Sequence, residues 1–316
     1  MKTHRIDSRF MFFLTIWIVL LQLIVLGVIS ALDNAKIIYG NIVLHSPWFM
    51  IGMLLAMLLL PLFIWLTVKG EKFTPTIPNQ NLGGKNIILI VVISLLIQPA
   101  MMVLSGITAL FSPNQISEMM YASLEQPFWL MLIATAVTPA VCEELVFRGY
   151  LQTKQRDRKL KQVAVLNGLF FAIIHLNIQQ FLYAFVLGVL FVYMVHYTRS
   201  VWAGILSHFA INAGQLLLGR WAMADSSVDA EMQAAERIIP QVSPEIEAII
   251  IVGGFALLLA PIIVMLVRAF FRHNQRVHGN IDEPNETTEV KKLPFFDRYL
   301  VAVIAIFLAL QVMMFI

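Results

Sequence analysis

Long, nearly uncharged runs of apolar residues recur along the whole chain. The first extends from Phe10 to about Leu32, and the second from about Ser46 to Val68. A helix of about 20 apolar residues crosses the hydrocarbon core of a bilayer. Every backbone polar group in lipid must be paired internally, and runs of this length meet that demand as helices. We therefore expect an all-α fold, a polytopic transmembrane helical bundle.

Composition supports this class and excludes others. Hydrophobic residues make up 59% of the chain and charged residues 13%, whereas about 25% of the residues in a soluble domain are charged. The net charge of +3 comes from basic residues beside apolar runs, which is the pattern of cytoplasmic loops. We therefore expect membrane lipids as partners and no nucleic acid. The single cysteine, Cys142, excludes an intrachain disulfide.

The apolar runs predict eight to nine spans. Nine is the leading count, and the fifth run, about 162–176, is the shortest at about 22 Å of helix. Lys and Arg fall on one side if every run crosses once, which places the N-terminus in the cytoplasm. Three regions follow: helices one to three in 1–126, a core of helices four to seven in 127–218, and an external acidic loop with the last helices in 219–316.

Six of the ionisable and amide side chains inside these apolar runs form the candidate site. Such groups are costly in a bilayer and indicate a functional site. They are Glu143, Glu144 and Arg148 in the fourth run, His175 in the fifth, and His208 with Asn212 in the seventh.

Helical spacing separates the two adjacent carboxylates. Glu144 and Arg148 are four residues apart, so their side chains share a face and can form an ion pair. Glu143 points about 100° away from Glu144. A purely structural ion-pair cluster is the alternative, but it leaves the Glu143 carboxylate unpaired. The same spacing predicts that Phe171 and His175 share a face of the fifth helix.

Helical rise predicts that these groups lie at one depth. Glu143 is about 22 Å along the helix from Arg158, a basic residue expected at the cytoplasmic surface. The same conversion, made from other basic residues, gives about 21 Å for His175, about 14 Å for His208 and about 20 Å for Asn212. All of these distances fit within a hydrocarbon core of about 30 Å, so the groups can meet.

One free carboxylate, two histidines and an amide suit acyl transfer to water. A carboxylate enclosed in an apolar bundle can act as a general base, with a histidine sharing that role or orienting the water. A second histidine and an amide can stabilise an oxyanion. Alternatively, Glu143, His175 and His208 could bind a divalent metal such as zinc that activates the water. Spacing does not separate these two possibilities.

The motifs Glu-Glu-x-x-x-Arg, Phe-x-x-x-His and His-x-x-x-Asn follow each other on successive hydrophobic helices. In this order, over roughly residues 127–218, they resemble the CPBP intramembrane endopeptidases. That family includes the type II CAAX prenyl endopeptidase and bacterial proteins linked to bacteriocin processing or immunity.

The resemblance implies a role for each motif residue. Glu143 and His175 would activate the attacking water, His208 and Asn212 would stabilise the oxyanion, and the ion pair would organise the site. The implied substrate is a membrane-associated peptide or protein, lipidated or not, and the implied location is a bacterial inner membrane. The alternatives are a non-proteolytic bacteriocin-immunity or assembly factor and, ranked lower, a proton-coupled transporter.

Overall fold

The computed structural model of this protein describes residues 6–72, 77–111, 126–155, 158–224, 242–279 and 297–315. These ranges contain helices and no strand, which confirms the all-α prediction. The nine main helices are α1 (Ile6–Asn34), α2 (Pro47–Lys69), α3 (Gly83–Ala109), α4 (Phe128–Lys154), α5 (Leu160–Ile173), α6 (Ile178–Thr198), α7 (Val201–Ala224), α8 (Pro244–His278) and α9 (Arg298–Phe315).

Seven of these helices are long and apolar enough to cross a membrane, and the other two, α5 and α9, are shorter. The chain is therefore a multi-pass membrane protein. The predicted eight to nine spans exceed the seven that length and composition support in the described residues, because both short helices were included in the prediction. The acidic loop predicted in 219–247 lies partly outside the described residues, and α7 continues into it as far as Ala224.

Two helix ends differ from the prediction. Helix α4 ends at Lys154 instead of continuing to the basic residues beyond it, and Arg158 lies buried in the connection to α5. Arg158 is therefore not a marker of the membrane surface at the end of a continuous helix. Helix α5 ends at Ile173, so that His175 lies in a turn and not on the helix. The physical reason is Leu176, whose φ of 50° is left-handed and cannot continue a right-handed helix.

Prolines create local irregularities in the long helices. A wide, π-type segment precedes Pro61 at Leu55–Leu59 in α2, and another precedes Pro139 at Ile133–Val137 in α4. Proline has no N–H to donate, so a carbonyl in the preceding turn loses its helical partner. Neighbouring helices supply replacements, which is how membrane helices tolerate proline. In α2 the replacement is the indole N–H of Trp17, which donates to the carbonyl of Ala56 at 2.9 Å.

Helix α4 lies at the centre of the bundle. In the apolar stretch of α4 that could cross a membrane, 61% of the residues are buried inside the protein, whereas none is buried in the corresponding stretch of α8. A second π-type segment, Leu145–Leu151, directly follows Glu144. Wide turns of this kind are frequent at functional sites because they redirect the side chains that follow.

Two glycines allow α5 and α6 to approach closely beside this centre. A Cβ atom added at Gly188 would lie 2.7 Å from the Cα atom of Gly168, and one added at Gly168 would lie 2.8 Å from the carbonyl oxygen of Phe185. Small residues at helix crossings bring backbones together in membranes, where dispersion contacts drive association. This crossing brings the backbone of α6 within reach of side chains from α4.

Candidate active site

The innermost part of the site is an ion pair within α4. Arg148 Nη1 donates to Glu144 Oε1 at 2.7 Å, and both side chains are fully buried. The second terminal nitrogen of Arg148, Nη2, donates to the carbonyl oxygen of Gly188 at 3.0 Å. The pair predicted from the four-residue spacing is therefore present, and it also connects α4 to α6.

Three aromatic rings surround the guanidinium of Arg148. Its Cζ atom lies 4.6 Å from the ring centre of Phe171, 5.1 Å from that of Phe191 and 5.7 Å from that of Phe147. The negative face of an aromatic ring attracts a cation, most strongly where water is excluded. These rings therefore offset part of the cost of burying the charge.

His208, in α7, binds the same carboxylate. Its Nδ1 lies 3.2 Å from Glu144 Oε1, and its ring stacks on Phe191 with 5.5 Å between centres. A carboxylate oxygen accepts hydrogen bonds, so Nδ1 is the protonated nitrogen and Nε2 points away from the pair. The contact brings a polar group of α7 against a polar group of α4. It attaches His208 to Glu144 rather than directly to Glu143.

Glu143 is buried but differently placed. Its side chain is 7% exposed, and within the described part of the chain its Oε2 atom has no hydrogen-bond partner. The Tyr183 hydroxyl in α6 is near enough to interact with it electrostatically. A buried carboxylate oxygen that lacks a partner is costly, and a water molecule or a ligand group is the usual remedy. Glu144 Oε2 lacks a partner as well, but Glu144 Oε1 is bound by Arg148 and His208. Glu143 is thus the carboxylate that no described residue holds in an ion pair.

His175 lies in the turn after α5 and is partly exposed. Its Nδ1 is 2.7 Å from the carbonyl oxygen of Phe171. A carbonyl can only accept, so Nδ1 carries the hydrogen, and the lone pair of the neutral ring is on Nε2. The Phe171 ring contacts His175 at 5.2 Å and His208 at 5.8 Å between centres. One phenylalanine therefore connects the two histidines.

Asn212, one turn beyond His208 in α7, binds the backbone of α4. Its Nδ2 donates to the carbonyl oxygen of Thr135 at 3.0 Å. The α-helical partner of that carbonyl would be the N–H of residue 139, which is a proline. Asn212 therefore donates to a carbonyl that cannot receive the usual α-helical hydrogen bond from residue 139. Its amide nitrogen keeps a second hydrogen that this bond does not use.

Direct contacts thus join Glu144, Arg148 and His208, and the ring of Phe171 connects His175 to this group. Within the described ranges, neither Glu143 nor Asn212 is hydrogen-bonded to another predicted site residue. The predicted zinc ligands Glu143, His175 and His208 do not form a metal-binding group: within these ranges, no three His, Cys, Asp or Glu side chains are arranged to hold an ion.

Sequence reasoning missed Gly204, which faces the ion pair from α7. A Cβ atom added there would lie 2.5 Å from Glu144 Oε2. Gly204 precedes His208 by four residues, so both lie on the face of α7 that meets Glu144. A glycine one turn before the histidine is the signal that could have located it.

Comparison with known proteins gives one family. Residues 125–214 match the family model described as type II CAAX prenyl endopeptidase Rce1-like. This range contains all six predicted site residues and ends within α7. No curated protein and no solved structure matches the chain.

Replacing Gly204 by Ala tests the closeness of α7 to the ion pair. The new methyl group would overlap Glu144 Oε2, and Glu144 cannot turn aside without losing Arg148 and His208. We expect Gly204→Ala to lower the unfolding free energy by about 1–3 kcal/mol, the usual cost of overpacking. Thermal unfolding of the purified protein in detergent measures this.

Gly254→Ala in α8 is the matched control, because an added Cβ there meets nothing within 4 Å. The control should be neutral or slightly stabilising, since Ala favours a helix over Gly. Equal stability of the two variants would show that α7 does not approach Glu144 as closely as described.

Proposed function

We propose that this protein, whose residues 125–214 match the family model of type II CAAX prenyl endopeptidases, is an intramembrane endopeptidase. It would hydrolyse a peptide bond of a membrane-associated peptide or protein by activating water with Glu143 and His175. One observation supports this most directly. Of two adjacent buried carboxylates, Glu144 is bound to Arg148 and His208 through Oε1, whereas Glu143 has no ion-pair partner among the described residues; Oε2 of each carboxylate is buried without a hydrogen-bond partner.

In the proposed first step, the Glu143 carboxylate accepts a proton from a water molecule as the water oxygen attacks the scissile carbonyl. The lone pair on His175 Nε2 accepts a hydrogen bond from the same water and fixes its direction. Positioned acid–base groups of this kind contribute about 10²- to 10⁴-fold to a rate. In the second step, Glu143 returns the proton to the leaving nitrogen, which releases an amine and a carboxylic acid.

The proposed oxyanion site consists of His208 and Asn212. Nε2 of His208 points away from Glu144, and it donates a hydrogen bond when the ring is protonated. The unused amide hydrogen of Asn212 is the second donor. Donors fixed before the charge develops stabilise it without reorganisation.

Access to the site is proposed from the side of His175 and Asn212. Both side chains are partly exposed, whereas Glu144 and Arg148 are fully buried. The matched family is described as a CAAX prenyl endopeptidase, and we propose a prenylated CAAX peptide as the first substrate to assay. We also propose a bacterial inner membrane as the location, with the N-terminus in the cytoplasm.

Separate replacement of the two glutamates tests the division between them. Glu143→Gln should lower kcat by about 10²- to 10⁴-fold, because it removes the base, and should leave the unfolding free energy nearly unchanged. Glu144→Gln should lower kcat and also destabilise the protein by about 3–5 kcal/mol, because it leaves the Arg148 charge buried without its partner. Cleavage of a fluorogenic prenylated CAAX peptide and unfolding in detergent are the two measurements.

If Glu143→Gln cleaves as fast as the parent, Glu143 is not the base. If neither the parent protein nor Glu143→Gln releases fragments from prenylated or unprenylated peptides, the immunity or assembly role gains support. Flux driven by a pH gradient in proteoliposomes, without fragments, would instead indicate the transporter.

The metal alternative is tested separately. Because the predicted ligands do not form a metal-binding group, we propose that Glu143 acts without a metal, and we derive no step through one. Peptide cleavage should then persist in a strong chelator, and elemental analysis should find far less than one zinc per chain. Loss of activity on chelation, restored by added zinc, would contradict this part of the proposal.

A further inference from the structure

The turn that carries His175 is held by a residue far away in the sequence. Gln311, in α9, is 6% exposed. Its Oε1 accepts a hydrogen bond from the backbone N–H of Ile178 at 3.0 Å, and its Nε2 donates to the carbonyl oxygen of Leu176 at 3.0 Å. A single side-chain amide therefore binds the chain on both sides of residue 177, immediately after His175.

This turn needs such support because its backbone is strained. Leu176 has a φ of 50°, a left-handed conformation that is unfavourable for a residue with a Cβ atom. Strained residues persist where surrounding contacts over-determine them, and they cluster at functional sites. The Leu176 side chain is buried in the core, and its N–H donates to the carbonyl of Ile173 at 3.0 Å. Gln311 supplies the contact on the carbonyl side.

The bond from Ile178 also completes the beginning of α6. Leu176 follows the end of α5, and Ile178 begins α6. The first N–H groups of a helix have no intrahelical partner, and buried ones must find another. At α6, the side chain of Asn177 accepts from Gln179 at 2.8 Å, while Gln311 accepts from Ile178.

Helix α9 is itself fixed in place, so that Gln311 approaches the turn from a rigid element. Phe307, one turn earlier in α9, stacks on Phe181 of α6 with 5.2 Å between ring centres. At the other end of the helix, Tyr299 packs against Phe12 of α1 at 5.8 Å. Leu300 and Val303 between them are fully buried. None of α9 lies within the family match at residues 125–214.

We propose that Gln311 is a positioning residue for His175: by holding Leu176 and Ile178, it keeps the His175 ring hydrogen-bonded to Phe171 with the Nε2 lone pair directed into the active site. The inference rests on the proposed function for the role of His175 in hydrolysis. The geometry of the turn is independent of that function. Helix α9 thus contributes to the site without touching the substrate.

The test reads the state of His175 directly, without relying on activity. The full-length protein, labelled with ¹⁵N-histidine and held in detergent micelles, contains seven histidines. The His175 signal is identified by its loss in His175→Ala. In the parent, the neutral ring should show the pattern of hydrogen on Nδ1. In Gln311→Leu, which removes both bonds, the signal should move toward the opposite tautomer or an average of the two.

Activity supplies the second reading. A small misplacement of a catalytic group can cost about 10²-fold in rate, so we expect kcat to fall about ten- to a hundredfold with KM nearly unchanged. Gln311→Met, of similar length, repeats the test if the leucine variant does not fold. Met313→Leu is the matched control, because Met313 lies in the same helix and is 72% exposed. It should change neither reading.

The outcomes separate this inference from the proposed function. A changed tautomer with lower kcat supports both. A changed tautomer with unchanged kcat supports the positioning role and contradicts the role of His175 in hydrolysis. An unchanged His175 signal overturns the inference whatever the activity. So does an equal change in the other histidine signals, because it would indicate general loosening of the fold.

Discussion

The buried ion pair between Glu144 and Arg148 is the contact on which the rest of the site depends. Two charges without exposure inside a membrane bundle are costly, and polar or polarisable groups must take the place of the lost water. Here the replacements come from different helices. His208 comes from α7, the Gly188 carbonyl from α6, and aromatic rings from α4, α5 and α6 surround the guanidinium. One charge pair therefore fixes the relative positions of the helices that carry the site.

The same demand for paired polar groups explains the irregular backbone around it. In α4, Asn212 donates to a carbonyl that Pro139 deprives of its usual α-helical donor. In the turn after α5, Leu176 is left-handed, and Gln311 binds its carbonyl oxygen. In water such groups would be solvated, but in a bilayer they must find partners within the protein. Each partner ties a distant helix to the neighbourhood of a site residue. The irregular backbone and the precise placement of the site residues thus have the same cause, which is the need to pair polar groups inside a bilayer.

Much of this arrangement could be predicted from the sequence, and the reasons for the remainder are physical. The four-residue spacing of Glu144 and Arg148 is local, and the pair formed as predicted. His175 was expected on a helix face, but the helix ends two residues earlier, because tertiary contacts stabilise a conformation that leucine disfavours by itself. The contacts of Gly204 and Gln311 join residues 60 and 135 positions apart. No local pattern encodes such distances.

A double-mutant cycle on the ion pair tests the central claim most directly. Glu144→Leu leaves the buried Arg148 charge without its partner, and Arg148→Met leaves Glu144 with His208 alone, whereas the double variant removes both charges. The unfolding free energy in detergent should therefore fall by about 3–5 kcal/mol in each single variant and by clearly less than their sum in the double variant. If the two losses simply add, the charges are not coupled, and the site is not organised around this pair.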